Sequence, residues 1–377
     1  MRTGEPPIRG YEQEKPKPLE DLAFTGEPTR SRSVEEPYEN NFQYDKAELL
    51  VSDIASRLLM KRQAFDQSYN FEFHPENRFS HSLNTSLIGQ HLAIDLGLNE
   101  QLVQAIMLSH DIGHPPFGHL GEREISKYLK SAGVKTEYLH ERVAPAILQG
   151  VLGRNFSREV LLGIVYHSLS SGVLERDDLP QEYRLAAIVD KIAYVIGDLV
   201  DLIKLEDIAP DKRRRHFTDQ TSDEEISQLL SEAKRRAANF GPNYYLIIES
   251  LKQAVIDEST RKRKVSLKDG MIARDFWELR RWLNENLYSK TDDQAAVDQV
   301  KKVFGKIVGS SCGKNPCLVF SLLNDPEVSE IAATDKAIDA NYLRSEIEML
   351  QLYWDRLPEK DDYSFLDHNL WIPEKKS

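Results

Sequence analysis

Two cysteines in 377 residues are too few for a disulfide framework. Cys312 and Cys317 stand five apart in SCGKNPC with no histidine close by, so a zinc-type site is not expected there. A reduced, cytoplasmic compartment is. Long apolar runs are also missing. No stretch reaches the roughly 20 residues that a membrane-spanning helix needs, so no membrane partner is expected. The opening MRTGEPPIRGYEQEKPKP lacks the apolar segment of a secretory signal. Positive charge is in deficit, with 49 Lys and Arg against 61 Asp and Glu. A net charge of −12 argues against a surface that coats nucleic acid. Only the local runs KRRRHF (212–217) and RKRK (261–264) keep nucleic acid open as a partner. Strand-like alternation is scarce and no internal repeat is visible.

What remains is helix. Residues 1–42 are rich in Pro, Glu, Arg and Ser, lack periodicity, and predict an extended or flexible arm. From Asp45 onward apolar residues recur at three and four, as in AELLVSDIASRLLMKRQAF. Gly97 reads as a helix stop and Asn99 as the cap of the next helix. A helix is expected from about Leu179 to Leu205, apolar along two stripes and therefore buried. Asp190, Tyr194, Asp198 and Asp201 share its remaining face, which is either the solvated side or the lining of a site. Beyond about residue 210 the helices turn amphipathic and more charged. The organisation expected is an arm (1–42), a helical core (43–210) and a mostly helical extension (211–377) packed on it.

The chemistry gathers in residues 78–122. His81, His91, His110, His114 and His119 fall there, five of the ten histidines. Adjacent His110 and Asp111 cannot face the same way in mid-helix, so the pair belongs at a helix end. Gly113, Pro115 and Pro116 supply the break. The longer pattern is Arg78-x-x-His81, then His110-Asp111, His114, His119 and Glu122, and later Asp190. Two histidines and two aspartates from three helices make a compact metal site with positions left for water and substrate. Left unpaired by a cation, two buried carboxylates are costly. His91 is not expected to be a ligand. His167 is expected at a helix end or in support of the site. His74, His216 and His368 are expected at the surface.

HDIGHPPFGHLGE (110–122), RLLMKRQAF (57–65), VDKIAYVIGD (189–198) and WLNENLYSK (282–290) together resemble the HD-domain deoxynucleoside triphosphate triphosphohydrolases, the dGTPase/dNTPase family. The resemblance covers roughly residues 43–290. It implies an all-α HD-domain fold with a helical C-terminal extension. It implies a divalent metal, whether Mn, Mg, Co, Fe, Zn or Ni, held by His81, His110, Asp111 and Asp190. It makes His119 the proton donor to the leaving oxygen, with Glu122 orienting it. It places Arg78, His114, His140 and Lys191 around the triphosphate, and Gln63, Tyr194 and Asp198 near the sugar. The implied reaction is water attack on the α-phosphorus of dGTP or another dNTP, releasing deoxynucleoside and inorganic triphosphate. A homo-oligomer and a nucleotide activator are implied as well. Departures exist: YLHERV keeps His140 without the following Asn, Gly197 precedes Asp198 where a His is usual, Lys191 follows Asp190, and a late Gly-Met-Thr-Asp segment is absent. HD phosphohydrolysis of monophosphates or signalling nucleotides, and a silent nucleotide-binding regulator, stay open as alternatives.

Overall fold

A computed structural model describes residues 17–34, 41–65, 74–291, 294–334 and 338–366. Among these residues there is no β-strand, only two isolated bridges. The all-α expectation holds.

The first helices are α1 (Gln43–Leu50), α2 (Asp53–Arg57), α3 (Arg78–Leu96) and α4 (Glu100–Ser109). Asn77 caps α3 by accepting from Ser80 N, with the Ser80 hydroxyl accepting from Asn77 N in return. Gly97 ends α3 in the left-handed region at φ 79°, and Asn99 caps α4 through Leu102 N, as expected. The chain continues through α5 (His119–Ser131), α6 (His140–Pro145), α7 (Arg158–Tyr166) and α8 (Gln181–Lys204). Helix α8 lies within two residues of its expected bounds. Its two apolar stripes are buried, and α3, α4 and α7 all pack around it. The open question about its remaining face is answered by burial: Asp190, Asp198 and Asp201 are all inside the protein.

Later elements are α9 (Pro210–Arg213), α10 (Asp223–Ala237), α11 (Tyr244–Lys262), α12 (Met271–Asn286) and α13 (Tyr288–Thr291). They are followed by α14 (Gln294–Gly309), α15 (Pro316–Ser321), α16 (Asp325–Ala333), α17 (Ala340–Glu346) and α18 (Glu348–Tyr353). Helices α10, α11 and α12 contact α8, and α14 contacts α5, so one apolar core runs through both halves. No helix among the described residues is long and apolar enough to cross a membrane.

The flexible-arm expectation for residues 1–42 needs correcting over 17–34; residues 1–16 and 35–40 lie outside the described residues. Leu19 is fully buried and its N–H donates to Leu96 O at 2.8 Å. Arg30 forms a two-pronged pair with buried Asp45, at 2.9 and 2.7 Å. Asp45 also accepts from Ser157 N. Composition alone hides such docking, because backbone N–H groups of Phe24 and Thr29, donating to Glu182 and Glu159, carry part of it. His216, expected at the surface, is buried with its ring edge-on to Phe65. His74 is exposed as expected, and His368 lies outside the described residues.

Removing one partner of a buried ion pair strands the other. Arg30→Ala should therefore cost about 3–5 kcal/mol of stability, the usual range for a broken buried pair. Urea unfolding measures it. A loss under about 1 kcal/mol, the range of an exposed pair, would mean that the arm is not docked in solution.

Candidate active site

Helix α4 ends at Ser109, and His110–Gly113 follow as a single tighter turn. That turn aims His110 and Asp111 to one side, as the adjacent pair requires. The His110 Nδ1–H donates to Met107 O at 2.6 Å, because a carbonyl can only accept. Its Nε2 is then the atom turned toward the carboxylates. That atom is buried without a hydrogen-bond partner, 3.2 Å from Asp111 Oδ1 and 3.5 Å from Asp190 Oδ1. His81, one turn into α3, brings Nε2 to 3.2 Å from the same Asp190 oxygen. Ligand atoms of His81, His110 and Asp111 all lie within 4.8 Å of one another.

This group asks for positive charge. Burial acts to lower the pKa of His81, but the Asp190 and Glu76 carboxylates outweigh it and hold the ring up at about 10. Burial acts to raise Asp190, yet Lys191, His110 and His81 keep its carboxyl well below the usual range. Asp111 behaves likewise under His110, Arg78 and His114. His110 Nε2, set between two ionised carboxylates, marks a buried point that favours positive charge. The residues fit a divalent metal on their donor chemistry: two imidazole nitrogens and two carboxylates.

A second cluster adjoins the first and has the opposite sense. Ring nitrogens of His114, His119 and His140 also lie within 4.8 Å of one another. His114 and His140 stack at 3.7 Å. Both face Glu122 Oε1 through Nδ1, at 2.9 and 2.8 Å. Glu122 is thus committed to His114 and His140, whereas the sequence pairs it with His119. The reason is local: one carboxylate at the first turn of α5 meets the two rings that reach it from the preceding loop and from α6. Burial acts to lower His140, but Glu122 and Glu141 hold its pKa up at about 9. A protonated His140 is a good donor to an anion. Buried Arg78 adds charge here while pairing with Asp111 Oδ2 at 2.9 Å. Lys191 Nζ lies 2.7 Å from Asp190 Oδ2 and 5.8 Å from the Tyr194 ring centre.

His119 begins α5 and is exposed. Desolvation by its crowded neighbours nonetheless draws its pKa below the ordinary value; Glu122 opposes this, and the charges of His114, Arg78 and His140 add to it. Its position follows from a tight bend. Phe117 takes a positive φ of 60°, costly for an aromatic residue, and Gly118 follows at φ 55°. A side chain at Gly118 would collide with the Arg78 guanidinium. Asp325, the first residue of α16, fastens the bend by accepting from Phe117 N at 2.8 Å. Buried Lys61 fastens it from behind, donating to His114 O at 2.6 Å and Ser321 O at 3.0 Å.

Gln63, Phe117, His119, Tyr194 and Tyr288 are among the residues lining a cavity of about 230 Å³. Gln63 Oε1 is buried without a hydrogen-bond partner. Tyr194 and Tyr288 stack at 5.5 Å. Asp198 lies behind them and accepts from the Tyr288 hydroxyl at 2.6 Å. His167 ends α7, buried, with Nδ1 at 2.5 Å from Ile164 O and Nε2 at 3.3 Å from His140 Nε2. His91 is exposed on α3. Three residues near the site went unassigned in the sequence. Tyr288 comes from the WLNENLYSK stretch, which had been matched without a role. Glu76 and Asp325 carry no motif at all.

Residues 78–195 match the HD domain family. A deoxyguanosinetriphosphate triphosphohydrolase-like protein of Clostridium perfringens (strain SM101 / Type A) is 36% identical over 183 residues, 48% of this chain and 52% of that protein. The chain thus spans about half the length of that relative. Longer matches are weaker. A protein of the same name from Caldanaerobacter subterraneus subsp. tengcongensis is 29% identical over 76% of this chain and 79% of its own. Another from Rickettsia bellii is 28% identical over 66% and 70%.

Burial pushes Asp198 up to about 8; the Tyr288 hydroxyl opposes this, and Glu76 and Asp201 reinforce it. Raised above its unfolded value, this carboxyl favours the folded state while protonated. That contribution is lost as pH climbs from the ordinary 3.8 through about 8. Asp198→Asn stays neutral throughout. Its melting temperature relative to wild type should rise from pH 5 to pH 8 and then level off. A difference that does not change with pH would contradict the shift.

Proposed function

We propose that this chain, which carries an HD domain and is related to proteins named deoxyguanosinetriphosphate triphosphohydrolase-like, hydrolyses deoxynucleoside triphosphates to deoxynucleoside and inorganic triphosphate. The HD domain and these relatives support the broader statement, a nucleotide phosphohydrolase. The observation that carries the finer reading is the adjacency of two zones of opposite sense. One holds carboxylates and an unpartnered imidazole nitrogen around a point that favours a cation. The other gathers His114, His119, His140 and Arg78 beside it. A nucleotide's polyphosphate is an anion that arrives with a divalent cation, and it suits both zones together.

His81, His110, Asp111 and Asp190 would hold the metal, which when bound lowers the pKa of a water and polarises a phosphoryl oxygen. Arg78, His114, His140 and Lys191 would bind the phosphate oxygens. Gln63 and the stacked Tyr194–Tyr288 pair would hold the sugar and base in the 230 Å³ cavity. Tyr194 packed beneath the ribose leaves little room for a 2′-hydroxyl and would favour deoxy substrates. Asp198 would act through Tyr288, keeping that hydroxyl oriented.

His119 stands where the phosphate zone meets the cavity, the place for a proton donor to the departing 5′-oxygen. An acid must carry the proton it gives. His119 on its own is held low. A triphosphate beside it supplies several negative charges and would raise its pKa, so substrate binding itself arms the acid. Water attack at the α-phosphorus then breaks the bond to the 5′-oxygen, which takes the proton from His119 and leaves as the alcohol.

Phosphorus-31 NMR of dGTP incubated with the protein and Mn²⁺ tests this reading. Intact inorganic triphosphate should accumulate. His119→Ala should slow kcat by at least about 10²-fold, the usual scale for a lost general acid. Its metal content should not change. Release of pyrophosphate or orthophosphate instead would refute the reaction. Loss of metal in proportion to activity would make His119 a ligand.

A further inference from the structure

Glu76 lies in the short segment before α3, outside every recognised motif. Its backbone N–H donates to Asp201 Oδ2 at 2.6 Å, tying the segment to the far end of α8. One carboxylate oxygen, Oε1, accepts from Asn84 Nδ2 at 2.7 Å. The other, Oε2, lies 3.4 Å from His81 Nδ1. Oε2 is buried and makes no hydrogen bond of good geometry. The side chain is only 9% exposed. A carboxylate held this deeply, with one oxygen set close to an imidazole nitrogen that itself makes no hydrogen bond, has a purpose beyond solubility.

Gly197 supplies the complementary observation. It sits inside α8, one residue before Asp198, with no turn or cap to explain a glycine. Glycine is unfavourable in a helix interior, where alanine is preferred. A Cβ at this position would stand 2.5 Å from Glu76 Oε2 and 3.4 Å from its carboxyl carbon. The space that a side chain at 197 would fill is the space the carboxylate uses.

We propose that Glu76 is a positioning residue of the metal centre: it accepts from His81 Nδ1–H, turns Nε2 toward Asp190, and requires the glycine at 197 in order to do so. The physical logic is general. An imidazole ligand has two nitrogens and free rotation about its stem. A carboxylate on the outer nitrogen selects the tautomer, fixes the ring and raises its basicity. Asn84 and the Asp201 tether hold the carboxylate, so the ring orientation is set before any ion arrives. Asp190 and Gly197 lie on the same helix two turns apart, so α8 supplies one ligand and also the gap that lets Glu76 reach another. This inference rests on the reading of His81 as a ligand.

The test is a double-mutant cycle on Mn²⁺ affinity, measured by calorimetry on the full chain with no nucleotide present. Glu76→Ala should weaken binding about tenfold to a hundredfold, the range for loss of a group that orients a ligand. Gly197→Ala should weaken it comparably, since the new methyl displaces the carboxylate, while helical content by circular dichroism stays at the wild-type level. The double variant should bind no more weakly than Glu76→Ala, because the methyl then has nothing left to displace. Glu76→Gln, which keeps an acceptor oxygen, should fall between wild type and Glu76→Ala. Wild-type affinity in Gly197→Ala would overturn the proposal, and so would losses that multiply in the double variant. If the wild type binds no Mn²⁺, the metal-site reading fails and this inference falls with it. If the wild type binds and the variants bind equally well, only the inference fails.

Discussion

A buried imidazole nitrogen set between two ionised carboxylates is the constraint on which the rest of this structure depends. His110 Nε2 faces Asp111 and Asp190 because its other nitrogen is bound to Met107 O. Two carboxylates meeting at one buried point call for positive charge, and a divalent cation there would supply it and take His81 as a partner as well. The surrounding helices bring these groups together from α3, the turn after α4, and α8. Each arrives with its own local reason: a capped helix start, a helix end, and a helix buried on all sides.

The electrostatic pattern changes over a few ångströms. Past Asp111 come His114 and, at the start of α5, His119, and α6 adds His140. His114 and His119 are drawn low by burial, while Glu122 holds a proton on His140. The boundary between zones is kept by Arg78, which gives one donor to Asp111 and packs against the backbone at Gly118. The bend that makes the boundary is strained at Phe117, and its fasteners come from far along the chain. Asp325 and Ser321 belong to the C-terminal half, and Lys61 precedes the HD domain. The extension is therefore part of the site's scaffold. This is consistent with the continuous apolar core between the two halves.

The fold class was readable because apolar periodicity, caps and helix stops agree along most of the chain. Gly97, Asn99 and the bounds of α8 were each visible as local signals. The cluster of His81, His110, Asp111 and Asp190 was readable for a different reason: histidine and aspartate inside apolar stretches have few other uses. What the sequence hid was pairing across distance. Glu122 stands three residues from His119, so helical spacing predicts that they meet, yet the carboxylate turns to His114 and His140. Glu76 carries no signal in sequence and Gly197 shows there only as a departure from the family pattern; their closeness in space gives both a meaning. The docking of residues 17–34 was hidden because a polar segment is held by buried Leu19, by Arg30 and by backbone hydrogen bonds to distant side chains such as Glu182 and Glu159.

Two clusters of histidines lie side by side, one proposed to hold the metal and the other the phosphates. Anomalous diffraction from crystals grown with Mn²⁺ separates them most directly. A single strong peak should lie between the Nε2 atoms of His81 and His110 and the carboxylates of Asp111 and Asp190. No peak there, or the principal peak among His114, His119 and His140, would contradict the assignment.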